Sequence, residues 1–198
     1  MINKNKKILF LLTLFLFISC NKNEPFDIKK EKNRDSLAFE LCKIYGLDQG
    51  IRSLKPSPNK IKALKEIDAI NFQRILAFVK VNGIPSEKLL GKKNMSQECV
   101  EASMIAVLLH TPNLLVNNKE YLDVFLKEVK KGNLKKETLV SILDKYYWVK
   151  RDSFGNRKLL YGSQFGRPCF KYRKKSDSVR EIIGLEPLPD SLFINCKK

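Results

Sequence analysis

From Leu37 onward the chain repeats apolar residues at three- and four-residue spacing in one segment after another, and that periodicity admits few folds. Leu37, Leu41, Ile44 and Tyr45 form the first stripe, with Asp35 or Ser36 as its cap and Pro56 and Pro58 as its stop. A second helix is expected from Asn59 or Lys60 to Val81. Phe72, Ile75, Leu76 and Val79 give its inner face, and Asn82-Gly83 ends it. A third starts at Ser96 and runs, almost wholly apolar beyond Ala102, to the break at Thr111-Pro112. A fourth covers Asn118 to Lys131 and a fifth Lys136 to Val149. Phe154-Gly155-Asn156 then reads as a turn between segments able to pair, before a short helix near Asp177–Ile183 and a proline-rich tail. The expected fold class is mainly α: a single helical domain of about five main helices with at most one small β-hairpin. There is no internal repeat and no low-complexity tract.

The amino terminus is of another kind. Lys4, Lys6 and Lys7 precede an apolar run from Ile8 to Ile18, broken only by Thr13 and followed by Ser19-Cys20. That run is shorter than the ~20 residues a membrane-spanning helix needs, and basic residues before it suit a secretory signal. Phe17-Ile18-Ser19-Cys20 resembles the site at which a bacterial lipoprotein is cleaved and lipidated, although Phe17 and Ile18 depart from the usual Leu and small polar residue. The resemblance implies three parts: 1–19 as a lipoprotein signal peptide, 20–34 as the lipidated Cys20 and a flexible spacer, and 35–198 as the domain. It also implies a protein of the bacterial cell envelope, held to the outer membrane in preference to the inner and facing periplasm or cell surface. Paired acyl chains on Cys20 would hold it stably, where one chain binds only marginally.

In that compartment disulfides persist. Cys42, Cys99, Cys169 and Cys196 allow three pairings. Cys169 with Cys196 is preferred because both lie in the loop-rich end, while Cys42 and Cys99 suit buried free thiols equally well. With no CxxC spacing and one histidine, no metal site is expected, and no cofactor is implied.

The formal charge is +17, falling to +14 when Lys4, Lys6 and Lys7 leave with the signal peptide. Such a field favours anionic partners. Thirty lysines against eight arginines, however, look more like a solvated basic surface than a nucleic-acid site, where planar arginines dominate. Trp148, Arg157, Phe165, Arg167, Tyr172 and Arg173 mix bases with aromatics. At an envelope location this mixture points away from nucleic acid and toward lipid headgroups or glycans.

The residues that could carry chemistry are few. His110, the only histidine, ends an apolar helix just before Thr111-Pro112, where its ring can project into a cleft and exchange protons near neutral pH. Asp48 and Arg52, four apart, share a helix face beside Gln49. They are either a local ion pair or an arginine aimed at an anion. Asp68, Asn71 and Asp144 lie on core-building helices and need partners if they point inward, with Arg52, Lys145 and Arg180 available. A buried structural network and a catalytic constellation stay equally open. Tyr161-Gly162-Ser163-Gln164 has the composition of a binding loop. Glycine-flanked nucleophilic serine, paired zinc-binding histidine and phosphate-cradling loop signatures are all missing.

Taken in order from Glu40 to Pro189, these positions resemble a bacterial family of domains of unknown function. The pieces are Asp48-Gln49 with Arg52, Asp68 with Asn71, Gly83-Ile84-Pro85 with Gly91, Leu109-His110 and Asp144-Lys145. Tyr161-Gly162-Ser163-Gln164, Val179-Arg180 and Gly184-Leu185-Glu186-Pro187-Leu188 complete the set. The family pattern has Trp, Gln, Arg and Gln where this chain has Ile84, Leu109, Lys145 and Leu160. The resemblance implies no activity. It does imply that Asp48, Arg52, His110 and Gln164 meet on one concave surface. The functional expectation is a lipid-anchored module binding an anionic ligand or a protein partner, through Arg52, Gln49, Asp68, Tyr161, Gln164 and Arg180. The alternative is a hydrolase-like enzyme using His110 with Asp48 or Asp144.

Overall fold

The structure is a computed structural model and describes residues 28–197, so Cys20 and the expected signal peptide lie outside the described residues. The chain falls into two compact units, 1–32 and 33–198, and of the first only 28–32 are described. The class is mainly α, with ten α-helices among the described residues rather than about five. The spacer expected through Arg34 is helical from Ile28, the start of α1 (Ile28–Ser53). Lys, Glu and Arg are good helix formers, and Glu31 in the first turn complements the helix dipole.

Helix α2 (Pro58–Asn82) is built as its sequence suggests. The Ser57 side chain accepts from the Lys60 amide, Pro58 takes the first position, and Gly83 closes it with φ +82°. Two short helices, α3 (Glu87–Leu90) and α4 (Lys92–Met95), precede the expected third helix, which is itself split into α5 (Glu98–Glu101) and α6 (Ser103–His110). Gly91, at φ +81°, separates the first two, and the backbone loosens into a turn at Ala102. Pro112 then opens α7 (Pro112–Asn117) rather than only ending α6. Asn118 caps α8 (Lys119–Lys130), and α9 (Lys136–Trp148) follows. The hairpin shrinks to one antiparallel bridge between Arg151 and Arg157, and a 3-10 turn at Phe170–Tyr172 leads into α10 (Arg173–Ile182).

The core sits where α9 packs on α6 and α7 and where α2 packs on α6 and α8. Phe72, Phe125, Leu108, Leu115, Leu139 and Ile142 are fully buried there. Cys42 and Cys99 form a disulfide joining α1 to α5, with Cα atoms 4.6 Å apart, so they are not the free thiols that the sequence left open. Cys169 is bonded to Cys196. Among the described residues no helix is long and apolar enough to cross a membrane.

Candidate functional site

Helices α1 and α2 are stitched by polar side chains at a four-residue step on α1 and a three-residue step on α2. Glu40 takes Nε and Nη2 of Arg74, at 2.9 and 2.6 Å. The Ile44 carbonyl accepts from the buried Asn71 amide at 3.2 Å. Arg52 Nη2 meets Asp68 Oδ1 at 2.6 Å. Residues 40, 44, 48 and 52 lie one turn apart, so a single face of α1 carries the seam.

Asp48 is the node of this seam. Its side chain is 1% exposed, and Oδ1 receives Arg52 Nη1 at 2.9 Å and His110 Nδ1 at 3.1 Å. Gln49 Nε2 donates to Oδ2 at 2.7 Å. A buried carboxylate is tolerated only with such partners. Because a carboxylate accepts, Nδ1 of His110 carries the shared proton, and Nε2 makes no hydrogen bond among the described residues. The ring is 32% exposed, at the end of α6. Four of the expected residues therefore join Asp48 in one network: Gln49, Arg52, Asp68 and His110.

The others are placed elsewhere. Asp144 belongs to a second, structural knot. Its Oδ1 accepts the Leu160 and Tyr161 amides and its Oδ2 the Ser163 amide, all at 3.0–3.1 Å. Both oxygens are occupied by backbone, so Asp144 is not the partner of His110. Ser176 and Arg180 donate to the Leu160 and Tyr161 carbonyls, and Arg180 Nε donates to the Glu186 carbonyl at 2.7 Å. Arg180 is thus spent on the chain rather than offered to a ligand. Tyr161 is buried against Tyr147, and burial pushes its phenol well above the usual range. Gly162 has φ +72°, and a Cβ there would meet Leu188 at 2.8 Å, so the element needs glycine for the fold itself. Gln164 is exposed next to this knot, and no hydrogen bond joins it to Asp48, Arg52 or His110 among the described residues. Of the four residues expected together, Asp48, Arg52 and His110 are bonded to one another around a buried carboxylate, and Gln164 is not among them. Arg52, bridged between two carboxylates, is neutralised rather than aimed at an anion.

A different feature carries unneutralised charge. Lys150, Lys158 and Lys175 line a cavity of about 320 Å³ with Tyr146, Tyr147, Tyr172, Asn117, Val116 and Leu160. Among the described residues no carboxylate lines it. Lys150 Nζ donates to the Tyr146 hydroxyl and sits 3.8 Å from its ring centroid, and this contact lowers the Tyr146 pKa. The sequence mixes bases with aromatics along this stretch, but nothing in it singles out these three lysines. Their ordering depends on α9, the hairpin and α10 coming together, which no local spacing reveals. Among the described residues no cluster of three His, Cys, Asp or Glu could hold a metal. No family model matches the chain, and no curated protein or solved structure matches it either.

Proposed function

We propose that the protein is a lipid-tethered envelope module that binds an anionic ligand, anchored through Cys20 and recognising its ligand in the lysine–tyrosine cavity. The observation that carries this reading is three lysines lining one cavity of about 320 Å³ that no carboxylate lines among the described residues. Uncompensated like charges in a concave site raise the local anion concentration, and the tyrosine faces offer area for a ring. An acidic sugar combines both features. The family resemblance remains part of the proposal and brings no activity with it.

Calorimetric titration of the detergent-solubilised full chain with tetragalacturonate, and with its neutral methyl ester, tests the reading. Saturable binding of the acid alone is expected, weakened at least tenfold in Lys158→Gln/Lys175→Gln, both exposed positions. Equal binding by that variant, or none by the parent, contradicts it.

A second reading is favoured by one contact. His110 Nδ1 lies 3.1 Å from buried Asp48, the arrangement that orients an imidazole and stabilises its cation in general acid–base catalysis. It ranks second because no hydroxyl or thiol is hydrogen-bonded to His110 among the described residues.

A further inference from the structure

The chain's eight arginines are the informative cations, since lysine is its default base. Arg52, Arg74 and Arg173 pair with carboxylates, and Arg180 is turned onto two carbonyls. Arg151, Arg157 and Arg167 differ. Among the described residues none of them has an ion-pair partner, and all three line a single cavity of about 280 Å³ together with Lys197. Among the described residues, the carboxylates next in the chain to Arg151 and to Ser191 are already occupied. Asp152 is held by Lys171, Tyr172 and Asn156, and Asp190 by Arg173.

Each of the three guanidinium groups is fixed by one nitrogen on a backbone carbonyl. Arg151 Nη1 donates to Gly155 at 2.6 Å, Arg167 Nη1 to Ser191 at 3.3 Å, and Arg157 Nη1 to Trp148. Arg157 also stacks 4.4 Å over the Trp148 ring. Anchoring one end of a planar fork orders the rest of its N–H groups at little further entropic cost. The far wall is equally fixed. Asn156 exchanges hydrogen bonds with the Lys197 backbone at 3.0 and 2.7 Å, and the Cys169–Cys196 disulfide ties the same tail down. Leu159 and Phe165 give the cavity an apolar side. The hairpin separates this cavity from the lysine one by strand alternation: Lys150 and Lys158 line one, Arg151 and Arg157 the other.

We propose that this cavity is a second site, one that binds the oxyanion of a phosphate ester. Arginine forks match two oxygens of one phosphate, and the apolar wall takes the esterified group. The proposal stands on the arginines alone and does not depend on the lysine cavity. The ester comes either from a soluble metabolite-sized molecule or from an anionic phospholipid headgroup in the membrane.

Trp148, the only tryptophan, carries Arg157 over its ring and packs against Phe165, and through these two lining residues it reports on the site. Its fluorescence is followed while the solubilised full chain is titrated with glycerol 3-phosphate, and after reconstitution into phosphatidylcholine nanodiscs with or without phosphatidylglycerol. A saturable change is expected in at least one arm. It should weaken at least tenfold in Arg151→Gln/Arg167→Gln, whose side chains are exposed, and stay unchanged in Lys62→Gln, an exposed position on α2 that lines neither cavity. A response to glycerol 3-phosphate marks a soluble ligand, and one seen only with phosphatidylglycerol marks the membrane. No response in either arm, or an undiminished response in the arginine variant, overturns the proposal.

Discussion

Asp48 and Asp144 are both fully buried carboxylates, yet they do opposite kinds of work. Asp144 gathers three backbone amides, so Asp144→Ala leaves three donors unsatisfied and should cost about 3 kcal/mol or more. Asp48 gathers side chains. Asp48→Ala strands His110 but leaves Arg52 its Asp68 contact and some solvent, so a smaller loss of about 2–3 kcal/mol is expected. Denaturant midpoints of the two variants check the order, and a larger loss at Asp48 would reverse it. Sequence spacing was enough to pair Asp48 with Arg52, because residues four apart share a helix face. It could not assign Asp144, whose partners lie sixteen to nineteen residues away in a loop without periodicity. Tyr161 and Arg180 were misjudged for a related reason: a polar side chain that serves the backbone looks, in sequence, the same as one that serves a ligand.

At the level of elements, polar clasps hold what apolar stripes alone do not. Glu128 on α8 is buried, and its carboxyl sits below the usual carboxylate range through hydrogen bonds from Lys131 and Asn133. Asp152 in the hairpin turn is also depressed, through Lys171 first and then Asn156. A depressed folded-state pKa contributes stability that is present above the unfolded value and is lost as pH falls through the folded one. Stability should therefore be level down to about pH 4.5 and fall below it. Glu128→Gln should flatten part of that acid slope, and an unchanged slope would show that the clasp contributes nothing. The Cys42–Cys99 bridge encloses 57 residues of sequence separation, and Cys42→Ser/Cys99→Ser should remove up to about 4 kcal/mol, seen as a lower Tm. The long helices were legible because caps, prolines and stripes agree there. The run of short helices from Glu87 to His110 was not: its breaks fall at Gly91, Ser96-Gln97 and Ala102, ahead of the apolar run, and only the first is marked by a glycine.

The whole chain is basic and mainly helical, and a formal charge of +17 would favour anionic partners. If the tether is as proposed, Cys20→Ala should abolish metabolic labelling with palmitate while the folded domain persists, and retained label on the variant would refute lipidation at that residue. Ligand binding carried by lysine should weaken steeply between about 20 and 200 mM salt, because exposed charges are screened beyond roughly 8–10 Å at physiological strength. The central claim is that recognition belongs to the cavity of Lys150, Lys158 and Lys175 and not to the Asp48–His110 network. An NMR titration of isotopically labelled full chain with tetragalacturonate tests this most directly. The first and largest shifts are expected at Tyr146, Lys150, Lys158 and Lys175, with His110 unmoved. Shifts centred on His110 and Arg52, or none at the lysines, would contradict it.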